Sequence, residues 1–195
     1  MSSIRNLSHI TSLNLSRNHF SGFIPSSIID LSYLTYLDLS RNHLLGQIPS
    51  SIGNLSHLTY LDLSWNQISG QSPSSFGNLN HLTYLDLSVN NIVGEIPTSF
   101  GNLNQLTSLD VGINRLNGSL PIALLNLTKL SSLQLNFNQF TGTIPHNISS
   151  LSKLRIFMAD NNAFTGTLPS KMSFITCLKN LEEEIQRNHH VPNPD

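Results

Sequence analysis

Cysteine is almost absent from this chain of 195 residues: Cys177 stands alone, which excludes an internal disulfide and any metal site built on several thiolates. Charge is scarce as well. Only 11% of residues are Asp, Glu, Lys or Arg and the formal net charge is −1, so nothing pulls strongly on a nucleic-acid backbone. No apolar run approaches the roughly 18 to 20 residues that a membrane-crossing helix needs. The opening MSSIRNLSHI lacks the apolar stretch of a secretory signal. Phosphate-cradling glycine loops, kinase motifs and a strained nucleophile turn are all missing, so catalysis finds little support.

Proline, by contrast, is present with a strict rhythm. Pro25, Pro49, Pro73, Pro97, Pro121, Pro145 and Pro169 stand 24 residues apart with no insertion or deletion. An invariant period of this size is the mark of a solenoid, in which each unit buries its apolar face only against its neighbours. One repeat reads LTYLDLSWNQISGQSP, from Leu58 to Pro73, and the next LTYLDLSVNNIVGEIP, from Leu82 to Pro97.

Within a repeat the alternation of apolar and polar residues predicts a short strand, with Leu61 and Leu63 inward and Tyr60, Asp62 and Ser64 outward. Three positions later stands Asn18, Asn42, Asn66, Asn90, Asn114, Asn138 or Asn162. A side-chain amide both donates and accepts, so this column is read as a ladder that satisfies backbone groups where each coil leaves its strand. The glycines from Gly22 to Gly166 mark sharp turns, and each Ile-Pro or equivalent pair favours extended backbone. Ser72 departs from the Ile or Leu of its column and places a hydroxyl in a core slot.

The motif L-x-x-L-x-L-x-x-N-x-Φ-x-G-x-I-P, with Φ apolar, resembles the plant-specific class of leucine-rich repeats over about residues 4 to 181. The resemblance implies an α/β solenoid: a right-handed superhelix with a parallel β-sheet on its concave face and short turns or 3-10 segments on its convex face. The predicted organisation is a partial repeat over 1–9, seven repeats over 10–177, a degenerate eighth repeat or helical cap over 178–187 and a disordered tail over 188–195. Ile4 and Leu7 already occupy core phases, whereas Glu183 and Gln186 break the pattern. These ends predict part of a longer protein.

Outward residues of equal phase line up as columns at the inter-strand spacing. Tyr36, Tyr60 and Tyr84 share one column, Asp38, Asp62, Asp86 and Asp110 the next, and Arg17, Arg41, Trp65, Val89, Ile113, Phe137 and Asn161 a third. Tyr, Trp and Arg most often dominate interface energetics, so Tyr36, Tyr60, Tyr84, Trp65, Arg41, Asp62, Asp86 and Phe137 are the candidate ligand contacts. Undiverged consensus explains the repeated Tyr and Asp about as well, which makes Trp65, unique in its column, the strongest single candidate. Acids dominate from Asp38 to Asp110 and bases from Arg115 to Lys179, a polarity suited to a partner of complementary charge.

Of the eight histidines, His9, His57 and His81 share one column, His19 and His43 another and His189 with His190 the tail, and His57 with His81 lacks the third ligand of a zinc site, so no metal or cofactor is expected. Sequons occur at Asn6, Asn14, Asn54, Asn117, Asn126 and Asn147, about as many as this Asn- and Ser-rich composition produces by chance. All but Asn14 are taken as glycosylation candidates.

Resemblance to receptor-like kinase ectodomains implies a recognition module acting in defence or development on the outer face of the plasma membrane or in the apoplast. Its partners would be a peptide or protein ligand and a co-receptor kinase, not nucleic acid. Two alternatives stay open: a secreted inhibitor similar to the polygalacturonase-inhibiting proteins, and a truncated product without separate activity.

Overall fold

The computed structural model describes residues 9–169. The partial opening repeat, the sequon at Asn6, the cap over 178–187 and the tail over 188–195 therefore lie outside the described residues, apart from His9. Seven three-residue strands form one parallel sheet in chain order: β1 (Ser12–Asn14), β3 (Tyr36–Asp38), β5 (Tyr60–Asp62), β7 (Tyr84–Asp86), β9 (Ser108–Asp110), β11 (Ser132–Gln134) and β13 (Ile156–Met158). The register advances by one repeat per strand, so Tyr36 pairs with Tyr60, Leu37 with Leu61 and Asp38 with Asp62. Identical phases thus become straight columns on the concave face.

Between strands the chain closes a flattened coil around leucine. Leu34, Leu37, Leu58, Leu61, Leu82, Leu85, Leu106 and Leu109 are fully shielded from water, and Phe76 and Phe100 fill the convex side, 5.7 Å apart edge to face. Each Pro from Pro25 to Pro145 is extended and precedes a five-residue 3-10 segment such as Ser50–Asn54 or Ser74–Asn78. Its carbonyl accepts the first turn's hydrogen bond, as from Ile52 N at 3.0 Å. Pro needs no N–H partner itself, and its fixed φ suits the entry to such a turn. Ser72 is buried in its core column.

A second set of strands was not foreseen where turns alone were expected. β2 (Ser21–Phe23), β4 (His43–Gly46), β6 (Gln67–Gln71), β8 (Asn91–Gly94) and β10 (Arg115–Leu116) form a five-stranded parallel sheet, and β12 (Thr141–Thr143) pairs with β14 (Ala163–Thr165). A glycine with positive φ lies in, or within two residues of, each of these strands, from Gly22 to Gly166. Gly70 has φ +75, and a Cβ there would lie 2.5 Å from Gln47 Cγ, which rests over it from the preceding coil.

The ladder is reduced to a single bridge, Ser119 with Thr141, between β10 and β12. The same junction carries a substitution in another column. Gly53, Gly77 and Gly101 let successive 3-10 segments touch backbone to backbone, since a Cβ on Gly101 would sit 2.5 Å from Ala123 O. Leu125 occupies the same phase in the next coil and buries a side chain where the preceding coils have none.

Candidate functional site

The concave face is fixed in place by the Asn column behind it. Asn66 Nδ2 donates to Leu39 O of the preceding coil at 3.0 Å and to Leu63 O and Ser64 O of its own coil, while its Oδ1 accepts from Leu44 N at 3.0 Å. Asn42, Asn90, Asn114, Asn138 and Asn162 repeat the pattern. Each amide therefore stitches two coils together while closing a turn.

That clamp imposes an unusual backbone on the residue before it. Arg17, Arg41, Trp65, Val89, Ile113, Phe137 and Asn161 all have φ of 53 to 55, in the left-handed region that branched and bulky side chains rarely adopt. Backbone demand, rather than side-chain preference, thus presents this column to solvent at the rim of the sheet. Trp65 is 50% exposed, and the guanidinium of Arg41 lies 4.8 Å from its ring centroid, a cation–π pair. Ile113 and Phe137, also half exposed, extend an apolar strip from Trp65 past Val89 along the rim.

The tyrosines come together as a stack. Tyr36 and Tyr60 are 4.3 Å apart with planes 10° from parallel, and Tyr60 and Tyr84 are 4.4 Å apart and parallel within 3°. Their hydroxyls turn toward the acids two residues on: Tyr84 Oη donates to Asp86 Oδ2 at 3.1 Å, and the corresponding distances to Asp38 and Asp62 are 3.5 Å. Partial burial first, and then the neighbouring carboxylates, hold the Tyr60 and Tyr84 phenols well above their ordinary range.

The acids sit deeper than the alternation of the strand implies, which corrects the outward placement of Asp62 and Ser64. Asp62 is only 9% exposed and Ser64 only 4%. The physical reason is a turn: Asp38, Asp62, Asp86 and Asp110 each accept, through Oδ1, the backbone N–H two residues later, at 2.8 to 3.0 Å. One oxygen closes the turn, and in Asp38, Asp62 and Asp86 the other faces the tyrosine row. Removal from water, then the charge of Asp86, raises Asp110 from an ordinary 3.8 to about 6, and burial also raises Asp62.

Arg41, Trp65, Tyr36, Tyr60, Tyr84, Asp62 and Asp86 thus share one patch over neighbouring coils, with Phe137 at the far end of the rim strip. Reading the sequence missed Tyr33, which is exposed and lies 5.9 Å from His9 and 6.3 Å from His57, ring centre to ring centre, along the other edge. It shares their column, and that phase was the available signal. His57 and His81 line a shallow groove with Thr35, Thr59, Thr83 and Gln105. Among the described residues no three His, Cys, Asp or Glu side chains gather as a metal site, and no helix is long and apolar enough to cross a membrane.

A family profile for a leucine-rich repeat region matches residues 49–192, and a leucine-rich-repeat profile matches residues 1–44. No curated protein matches the sequence. Among solved structures the chain is similar to the Arabidopsis receptor kinase HAESA in complex with the peptide hormone IDA and the co-receptor SERK1, at 36% identity and TM-score 0.82, covering 85% of this chain and 28% of that one. The PEPR1–AtPEP1 structure is similar at 36% identity and TM-score 0.81, covering 85% and 23%. A plant ice-binding protein is similar at 29% identity and TM-score 0.70, covering 87% and 62%. The chain therefore spans about a quarter of the HAESA and PEPR1 chains.

Proposed function

Because the chain belongs to the leucine-rich-repeat family, we propose that it recognises a peptide or an extended protein segment on its concave face, as the ligand-contacting part of a plant cell-surface receptor-like kinase or receptor-like protein. The observation that carries this reading is the Tyr36–Tyr60–Tyr84 stack beside the Arg41–Trp65 pair. None of these side chains is needed to fill the core, yet together they present rigid aromatic surface, which loses little entropy on binding. Stacking fixes the rings, and the second oxygens of Asp62 and Asp86, which accept from the Tyr60 and Tyr84 hydroxyls, line the row beside them.

The structures that hold a peptide hormone support the peptide class. A co-receptor kinase, signalling in defence or development, and an extracellular location belong to the same proposal.

Selection of a displayed library of random peptides against residues 1–195, followed by hydrogen-exchange footprinting of a selected binder, tests the surface. Protection confined to β3, β5, β7 and the residues around Trp65 supports the assignment. Protection on the 3-10 side, with none on those strands, refutes it.

A further inference from the structure

The tyrosine column stops at Tyr84. The next two positions across the sheet are Ser108 and Ser132, and a large side chain returns only at Ile156, which is exposed. Three strand spacings, about 14 Å, separate Tyr84 from Ile156. Two hydroxymethyl groups therefore floor a trough in the concave face. Tyr60 covers one face of the Tyr84 ring at 4.4 Å, and no ring among the described residues lies against the other.

The acid beside the trough also differs from its neighbours. In the preceding coil Tyr84 Oη donates to Asp86 Oδ2, whereas Asp110 has Ser108 in the tyrosine's place. Its Oδ1 accepts from Gly112 N at 2.8 Å, but no group among the described residues donates to its Oδ2. The hydroxyls of Ser108 and Ser132 and the side-chain amide of Gln134 likewise make no hydrogen bond among the described residues. Burial first, then the charge of Asp86, push the Asp110 carboxyl up to about 6, and no side-chain cation among the described residues offsets them.

We infer that this trough takes an arginine side chain of the bound peptide, its guanidinium stacked on the open face of Tyr84 and donating to Asp110. The inference deepens the recognition reading and rests on it. Other side chains leave part of the site unmet. An aromatic ring would stack on Tyr84 but cover the Asp110 carboxylate without giving it a donor. Lysine brings charge without a planar face, and an acidic side chain meets Asp86 and Asp110 as like charges. A guanidinium supplies a flat face, a fixed positive charge and several N–H donors together. The fold already contains one such pairing, Arg41 over Trp65 at 4.8 Å.

The test selects a displayed random-peptide library on residues 1–195 and, in parallel, on Asp110→Asn and Ser108→Tyr. Asp110→Asn keeps an acceptor for Gly112 N, and Ser108→Tyr continues the tyrosine column, so both variants keep the fold, which circular dichroism checks. Binders whose hydrogen-exchange footprint covers β7 and β9 should be rich in arginine on the wild-type chain and lose that enrichment on both variants. In one such peptide, citrulline, the neutral isostere, in place of arginine should weaken binding to the wild-type chain at least ~10-fold and to Asp110→Asn far less. Footprinted binders without arginine enrichment, or an equal citrulline loss on the two chains, would overturn the inference and leave recognition by the concave face standing. If no binder protects the concave strands, the recognition reading itself fails and this inference falls with it.

Discussion

Replacing Asn66 by Ala removes a clamp whose cost follows from its hydrogen bonds. Three carbonyls, Leu39 O, Leu63 O and Ser64 O, lose a donor, and Leu44 N loses its acceptor. Asn66 and Leu44 are both buried, so water does not readily replace these bonds. A buried group left without a partner costs about 1–3 kcal/mol, and a carbonyl that keeps other contacts costs less, giving a total of about 3–5 kcal/mol. Asn18 provides the comparison, because its Nδ2 makes only the exposed bonds to Leu15 O and Ser16 O. Water can satisfy those groups, so Asn18→Ala should cost under about 1 kcal/mol. Urea unfolding followed by both Trp65 fluorescence and circular dichroism reads the difference, provided the two transitions coincide. At a slope near 2 kcal/mol per M, the Asn66→Ala midpoint should fall by about 2 M. Equal midpoints for the two variants would refute the view that stitching between coils, rather than closing the turn, carries the energy.

Three other substitutions probe separate elements. Val89→Asn should raise stability by about 1 kcal/mol in urea titration, since Asn tolerates the left-handed φ of 54 that strains a β-branched residue. Gly77→Ala should cost about 2–4 kcal/mol, because its Cβ would meet Ser99 O at 2.5 Å; Gly142→Ala, meeting only Ser119 Cβ at 3.4 Å, should cost nearer 1 kcal/mol through its φ of +76. Asp110 binds its proton more tightly folded than unfolded, so its stabilising contribution is complete below about pH 4 and is lost as pH rises through about 6. Asp110→Asn keeps an acceptor for Gly112 N and should gain about 1–2 kcal/mol at pH 7, after discounting for the part of the carboxylate that faces water, and almost nothing at pH 4.

How much of this was legible differs by position. The leucines, the Asn column and the Gly and Pro turns could be read because each recurs with one chemistry at one phase. The left-handed column could not, since Arg, Trp, Val, Ile and Phe share no trait that marks positive φ; the Asn clamp after them sets it. The buried acids could have been read. Asp62 followed two residues later by Ser64 is the pattern of a side chain accepting from the backbone ahead, and strand alternation masked it. The second sheet was hidden because its residues surround a glycine, which weakens strand propensity, and its pairing depends on contact between coils. For the candidate face, phase alone placed Tyr36, Tyr60 and Tyr84 in one column, whereas the Arg41 contact on Trp65 required three dimensions.

The most direct test of recognition through this face is the affinity of a display-selected peptide for the Tyr60→Ala, Trp65→Ala, Tyr84→Ala triple variant, measured by calorimetry. Losing aromatic anchors worth about 1–2 kcal/mol each should weaken binding by at least ~100-fold, with the circular dichroism spectrum unchanged. Undiminished affinity in a folded triple variant would contradict it.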